Sequence, residues 1–372
     1  MSDPFDGTSD FDSAEQPMIV KRNEPDPVRP QQPALPTSAP RPRTAPAKPP
    51  SKFSGLDENP DQVAISLVGP TSGGKTTFLQ AILKGEPDRD AYGTWRAIAP
   101  PKSPLVSHLI TQSHANRFPV PTTEPSTEIW RIRGATATTW TRSKWGRTIE
   151  VPGGPVEFKL AILDPPGGEF LDPTAKGLTD QLVKADGLIL LIDPVRMMAE
   201  TRDEMKALLR DDEEIHPTFA FVDSLMRAMD YELAESGTGG MPQFLSVCVG
   251  KLDHPEVYRR ADQLGLIDLD HGKQPTVPSG PAARALFENL CRYSVNPNDA
   301  DLPGKLTAWF DNVSYHAASS IGFYLDPSGT FDPEDFVNVT TSDDVRTVRR
   351  AQPNQVWETL LDLWTSIKET RA

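Results

Sequence analysis

The sequence predicts an α/β domain of three layers, built on a mostly parallel sheet with one antiparallel strand and enlarged by insertions. Three observations carry this. An apolar run at 63–68 enters a glycine-rich octet and is followed by a helical face of Phe78, Leu79, Ile82 and Leu83. Two further apolar runs, at 185–193 and 244–249, suit parallel strands buried on both faces. Between them and the octet, two alternating segments around Trp130 and Ile132 and around Val156, Phe158, Leu160 and Ile162 read as a long antiparallel pair.

Residues 1–60 precede this domain as an expected disordered, proline-rich arm. Asp3, Asp6, Asp10, Asp12 and Glu15 make an acidic start, and prolines then recur from Pro25 to Pro50. Such a composition buries too little apolar surface to offset chain entropy. It is expected to be extended and to act as a tether, with docking through its proline motifs as a secondary expectation. The domain itself is expected over 61–372.

The octet Gly69-Pro70-Thr71-Ser72-Gly73-Gly74-Lys75-Thr76 fits Gly-x-x-x-x-Gly-Lys-Ser/Thr, the phosphate-binding loop. This makes the expected fold that of the P-loop NTPases. Glycines let successive backbone N–H groups turn toward one anion, and the helix that follows adds its partial positive charge. The expected nucleotide contacts are Gly69, Thr71, Ser72, Gly73, Gly74, Lys75, Thr76 and Thr77. Lys75 reaches the β- and γ-phosphates and the Thr76 hydroxyl binds Mg²⁺.

Prolines punctuate 85–125, where one helix is expected near 105–116. The tip between the two alternating strands, 140–147, mixes two Trp with Arg142, Lys144 and Arg147 and reads as a solvated turn. The second strand ends in Leu163-Asp164-Pro165-Pro166-Gly167-Gly168-Glu169. An acidic residue at the end of an apolar strand downstream of a phosphate loop is where a Mg²⁺-associated Asp belongs, so Asp164 is assigned there. Gly167 can bring its backbone N–H to a γ-phosphate because no Cβ blocks the approach.

A helical stretch is expected near 179–184. Residues 195–235 read as helical, with Met197, Met198, Met205 and Leu208 as a core stripe. The strand at 244–249 leads into Gly250-Lys251-Leu252-Asp253. Residues 255–300 are expected to be an insertion with one helix at 282–293, and 312–322 a last strand and its loop. Val356, Leu360, Leu363, Trp364 and Ile367 recur at helical spacing and mark a closing helix packed on the sheet.

The formal net charge of −14 argues against broad nucleic-acid binding. Two cysteines and six histidines show no disulfide or metal-ligand pattern. Leu188–Ile192 is far too short to span a bilayer, and no basic-then-apolar signal opens the chain, so a cytoplasmic location is expected.

The order of these motifs resembles that of the Ras-like GTPases of the translation-factor class. It runs from the phosphate loop through Asp-x-x-Gly, an Ala-Asp-Gly strand ending in Asp, and Lys-x-Asp after a buried strand to a Ser-containing loop. The enlarged spacings and the closing Ser-Ser-Ile-Gly with its Trp-rich helix are most similar to the bacterial double-GTPase domains of conflict and signalling systems. The resemblance implies GTP/GDP and Mg²⁺ as ligands. It implies that Asp253 accepts hydrogen bonds from guanine N1 and N2, that Lys251 lays its stem along the base, and that Ser319 or Ser320 sits near the guanine oxygen. It also implies that a Thr of Pro121-Thr122-Thr123-Glu124, Thr123 for preference, closes on Mg²⁺ and the γ-phosphate, so that 118–126 and 165–175 form switch segments.

Two positions depart from that pattern. Gly250 stands where Asn or Thr usually begins the base motif. Gly168 stands where a Gln often orients the attacking water, leaving Glu169 to swing back. Slow, Mg²⁺-dependent hydrolysis, or hydrolysis assisted by a protein partner, is therefore expected of a regulatory switch. A P-loop ATPase or kinase, or a nucleotide-binding interaction module with little turnover, are the alternatives.

Overall fold

Strand β1 (Ala64–Val68) is buried at every position, as an aliphatic run covered on both faces requires. The structure is a computed structural model describing residues 63–70, 73–100, 102–119, 126–142, 148–151, 153–164, 179, 182–198, 218–235, 241–269, 274–342 and 345–371. The expected N-terminal arm lies outside them.

Helix α1 (Lys75–Lys84) follows and buries Phe78, Leu79, Ala81 and Ile82. The stretch after it holds a short helix α2 (Arg89–Tyr92), a strand β2 (Thr94–Ile98) and helix α3 (Pro104–His114). Ser103 caps α3, its hydroxyl accepting the Val106 N–H at 3.0 Å. The helix lies where the sequence predicts it. Strand β2 does not announce itself, because Trp95 is its one buried residue.

Strands β3 (Ser126–Ala135) and β6 (Pro155–Asp164) form the expected antiparallel pair, with Ser126 opposite Asp164. A small hairpin of β4 (Thr139–Arg142) and β5 (Thr148–Val151) lies between them in sequence. Residues 143–147 of the expected tip are outside the described residues.

The two apolar runs become β7 (Gly187–Ile192) and β8 (Phe244–Val249). Helices α4 (Pro194–Met198) and α5 (Thr218–Glu235) lie between them. Met197 is buried as expected, while Met205 and Leu208 fall outside the described residues. The stretch 255–300 departs from its expected single helix. It carries α6 (Pro255–Gln263) and α7 (Pro281–Arg292), and a 3₁₀ turn leads on into α8 (Leu302–Trp309). Val257, Tyr258, Ala261, Leu286 and Phe287 share one core with Leu245 and Val247, so these helices are a layer of the domain. Helix α6 hides because it is mostly polar and turns only three buried positions inward.

Strand β9 (Val313–Ala317) is followed by a hairpin not anticipated from sequence, β10 (Val339–Ser342) and β11 (Val345–Val348). Helix α9 (Val356–Arg371) closes the chain and packs against β7, β8 and β9, as predicted.

The main sheet has seven strands in the order β2-β3-β6-β1-β7-β8-β9. Strand β1 pairs parallel with β6 and β7, and β7, β8 and β9 continue in parallel. Strand β3 is antiparallel to both neighbours, so one strand of the seven opposes the rest, as expected. One sheet face packs on α1 and α9, around Ile65, Leu67, Trp130, Phe158 and Trp364. The other packs on α5 to α8. Among the described residues no helix is long and apolar enough to cross a membrane.

Candidate functional site

The parallel strands β1, β6, β7, β8 and β9 end at one edge of the sheet. The segments after them therefore converge there, the usual ligand-binding edge of an open α/β sheet.

The glycine loop leaves β1 at this edge. A Cβ on Gly69 would lie 2.9 Å from the Leu191 carbonyl oxygen of β7, so the loop starts closer to that strand than a side chain allows. Gly74 has φ +91°, the left-handed region, and its carbonyl accepts the Phe78 N–H at 2.8 Å to begin α1. The first turn of α1 carries no acidic residue and no side-chain cap, so nothing of its own neutralises the positive end of the helix. Lys75 is buried, and its ammonium donates to the carbonyls of Gly69 at 2.9 Å and Pro70 at 3.1 Å. Thr76 and Thr77 follow in the same turn. Thr71 and Ser72 lie outside the described residues.

Asp164 ends β6, the strand beside β1, two residues past the register pair Leu67–Ile162. It thus stands next to the start of the loop. Thr123, Gly167 and Glu169 are outside the described residues.

A second group gathers at the ends of β7, β8 and β9. The Gly250 N–H donates to the Ile192 carbonyl at 3.0 Å. Lys251 has φ +56°, rare for a residue with a side chain, and its ammonium donates to Asp193 Oδ2 at 2.7 Å. Asp193 is 1% exposed; its Oδ1 accepts the Val195 N–H at 3.2 Å, and Arg196 Nε lies 3.7 Å from Oδ2. Asp253 is buried and accepts a short hydrogen bond from the Ser319 hydroxyl, which in turn accepts the Gly322 N–H at 2.8 Å. Burial pushes the Asp253 carboxyl up to about 6, against the lowering effect of the Ser319 bond. The Leu252 N–H donates to the Ala318 carbonyl at 3.2 Å, and Ser319 exchanges two backbone bonds with Asn354.

The structure thus separates the two candidate serines. Ser319 meets Asp253, while Ser320 lines a small cleft with Gln80, Lys84, Arg117 and Val348. Two participants had no role assigned from the sequence, where Asp193 entered only as the residue ending the Ala-Asp-Gly strand. Asp193 offered a signal, as the polar residue that ends a wholly apolar strand. Asn354 offered none, since it reaches Ser319 from a distant loop.

Fold and site together define a three-layer α/β domain with a phosphate-loop motif at the carboxyl end of a central strand. No family model matches the chain, and no curated protein matches it. Among solved structures it is similar to the signal recognition particle receptor SRb-GTP/SRX complex from Chaetomium thermophilum. That match has 15% identity, 72% of this chain, 93% of that chain and a TM-score of 0.33. It is also similar to a bacterial selenocysteine-specific elongation factor, EF-Sec, at 12% identity, covering 70% of this chain and 26% of that chain with a TM-score of 0.27. A third likeness is to translation elongation factor SelB from Methanococcus maripaludis in complex with the GTP analogue GppNHp. It has 9% identity, 70% of this chain, 30% of that chain and a TM-score of 0.26. Likeness at this level carries no inference about activity.

Proposed function

We propose that the chain binds GTP and GDP with Mg²⁺ and serves as a regulatory switch, hydrolysing GTP slowly and acting on a protein partner. The observation that carries this is the convergence, at one sheet edge, of a glycine loop with a buried lysine and a buried carboxylate, Asp253. A phosphate chain suits the first. A base edge with two adjacent donors suits the second, and guanine N1 and N2 form such an edge where adenine does not.

The residue types at these positions supply the chemistry that these ligands need. Lys75 and the loop from Gly69 to Thr77 hold the phosphates, including Thr71, Ser72, Gly73 and Gly74. Thr76, Asp164 and Thr123 hold Mg²⁺, which when bound neutralises phosphate charge. Asp253 accepts from the base, steadied by Ser319; Lys251 flanks it, and Ser320 lies one residue on. Gly167 would offer its N–H to the terminal phosphate, and Glu169, one residue past Gly168, would have to swing back to reach a water there. Gly168 has no side chain with which to orient that water, which supports slow turnover. A switch of this kind needs a protein partner to sense it.

The test is displacement of a fluorescent GDP, with Mg²⁺, by GTP, GDP, ATP and XTP. Displacement by guanine nucleotides alone is expected, with binding lost in Lys75→Ala. Asp253→Asn is expected to weaken GTP and admit xanthine nucleotides. Equal displacement of the probe by ATP would refute the guanine assignment.

A further inference from the structure

We propose that Asp193 is a positioning residue of the base pocket, one that pins the Lys251 side chain and so sets affinity for the base rather than for phosphates. This rests on the nucleotide-binding role proposed above for the same edge.

Asp193 is 1% exposed, and a buried carboxylate is tolerated only when its partners satisfy it. Its partners are the Val195 N–H, the Lys251 ammonium at 2.7 Å and Arg196, whose side chain is itself 4% exposed. Lys251 is different: its side chain is 37% exposed and its backbone is left-handed. An exposed lysine exchanges freely between water and protein acceptors, since ordering its long stem costs conformational entropy. Here one end of the pair is buried, so the ammonium is fixed and the stem must run between the end of β8 and Asp193.

The placement is specific to the base side of the edge. Lys251 stands two residues from Asp253, and each of the two has its own buried partner, Asp193 for one and Ser319 for the other. Gly250, just before Lys251, has no side chain with which to anchor the segment. Its N–H is stitched to the Ile192 carbonyl, and the next residue on each strand, Asp193 and Lys251, continues the stitch through side chains. The pair is not needed to join β7 to β8. Those strands already share an unbroken parallel register from Gly187–Phe244 to Ile192–Val249.

The experiment uses the full chain with Mg²⁺ and two probes, fluorescent GDP and inorganic tripolyphosphate as its competitor. Asp193→Ala is expected to weaken GDP tenfold or more and to leave tripolyphosphate competition within twofold. In a Lys251→Ala background the same change is expected to add less than twofold, because it acts through Lys251. Asp193→Asn keeps the size and one acceptor oxygen, and carries the test if the alanine variant does not fold. It is expected to weaken GDP at least threefold with tripolyphosphate unchanged. Parallel weakening of both probes, no weakening of GDP, or losses that multiply in the double variant would overturn the positioning role alone. A wild-type chain that binds no guanine nucleotide would overturn the nucleotide-binding role with it.

Discussion

Two buried titratable side chains, His316 and Asp253, push the pH dependence of stability in opposite directions. His316 is 4% exposed, its Nε2 has no hydrogen-bond partner, and burial lowers it to about 4. An unfolded chain takes up that proton near 6.5 and the folded chain only near 4. The fold therefore loses up to about 3 kcal/mol from this group as pH falls through that window. Asp253 acts in the opposite sense. Its folded carboxyl is raised to about 6, so the folded chain binds a proton the unfolded chain does not, and lowering the pH below 6 stabilises the fold. His316→Gln should therefore show a smaller drop in urea midpoint from pH 7 to pH 4.5 than wild type, and Asp253→Asn a larger one. In the proposed role, Asp253 must be ionised to accept from two donors at once. Guanine-nucleotide affinity should then fall more steeply in wild type than in Asp253→Asn as pH drops through about 6, and parallel pH profiles in the two would count against Asp253 as the base acceptor.

At the scale of elements, α9 is the clamp on one face of the sheet. Trp364 stacks on Phe158 at 5.6 Å and meets Trp95 edge-on at 5.5 Å, and Trp357 Nε1 donates to the Gly85 carbonyl at 2.8 Å. One aromatic cluster thus ties the closing helix to β6 and to edge strand β2. Trp364→Ala should cost about 3–5 kcal/mol of unfolding free energy, read by urea denaturation. The same contacts explain what the sequence showed and hid. Helix α9 was legible because Val356, Leu360, Leu363 and Ile367 fall on one stripe. Strand β2 was not, because its one buried residue, Trp95, owes its burial to Phe158 and Trp364, far along the chain.

For the molecule as a whole, a ligand that binds only the folded chain must stabilise it. GDP with Mg²⁺ at about a hundredfold above its dissociation constant should add about 2.7 kcal/mol, seen as a raised melting temperature. Lys75→Ala should abolish that increment. An equal increment in that variant would place the nucleotide elsewhere.

The local sequence by itself determined the phosphate loop, the two buried strands after it, the antiparallel β3–β6 pair and the closing helix. Each is written in a short-range signal: left-handed or side-chain-free backbone at Gly69 and Gly74, period two at Trp130 and Ile132, helical period at Val356 to Ile367. Tertiary structure alone decided that Ser319 rather than Ser320 meets Asp253, that Asp193 receives Lys251, and that 255–300 is a helical layer of the core. These depend on which strand ends lie side by side. Strand order is set by the burial of whole faces against one another, and no single stretch of sequence contains both partners.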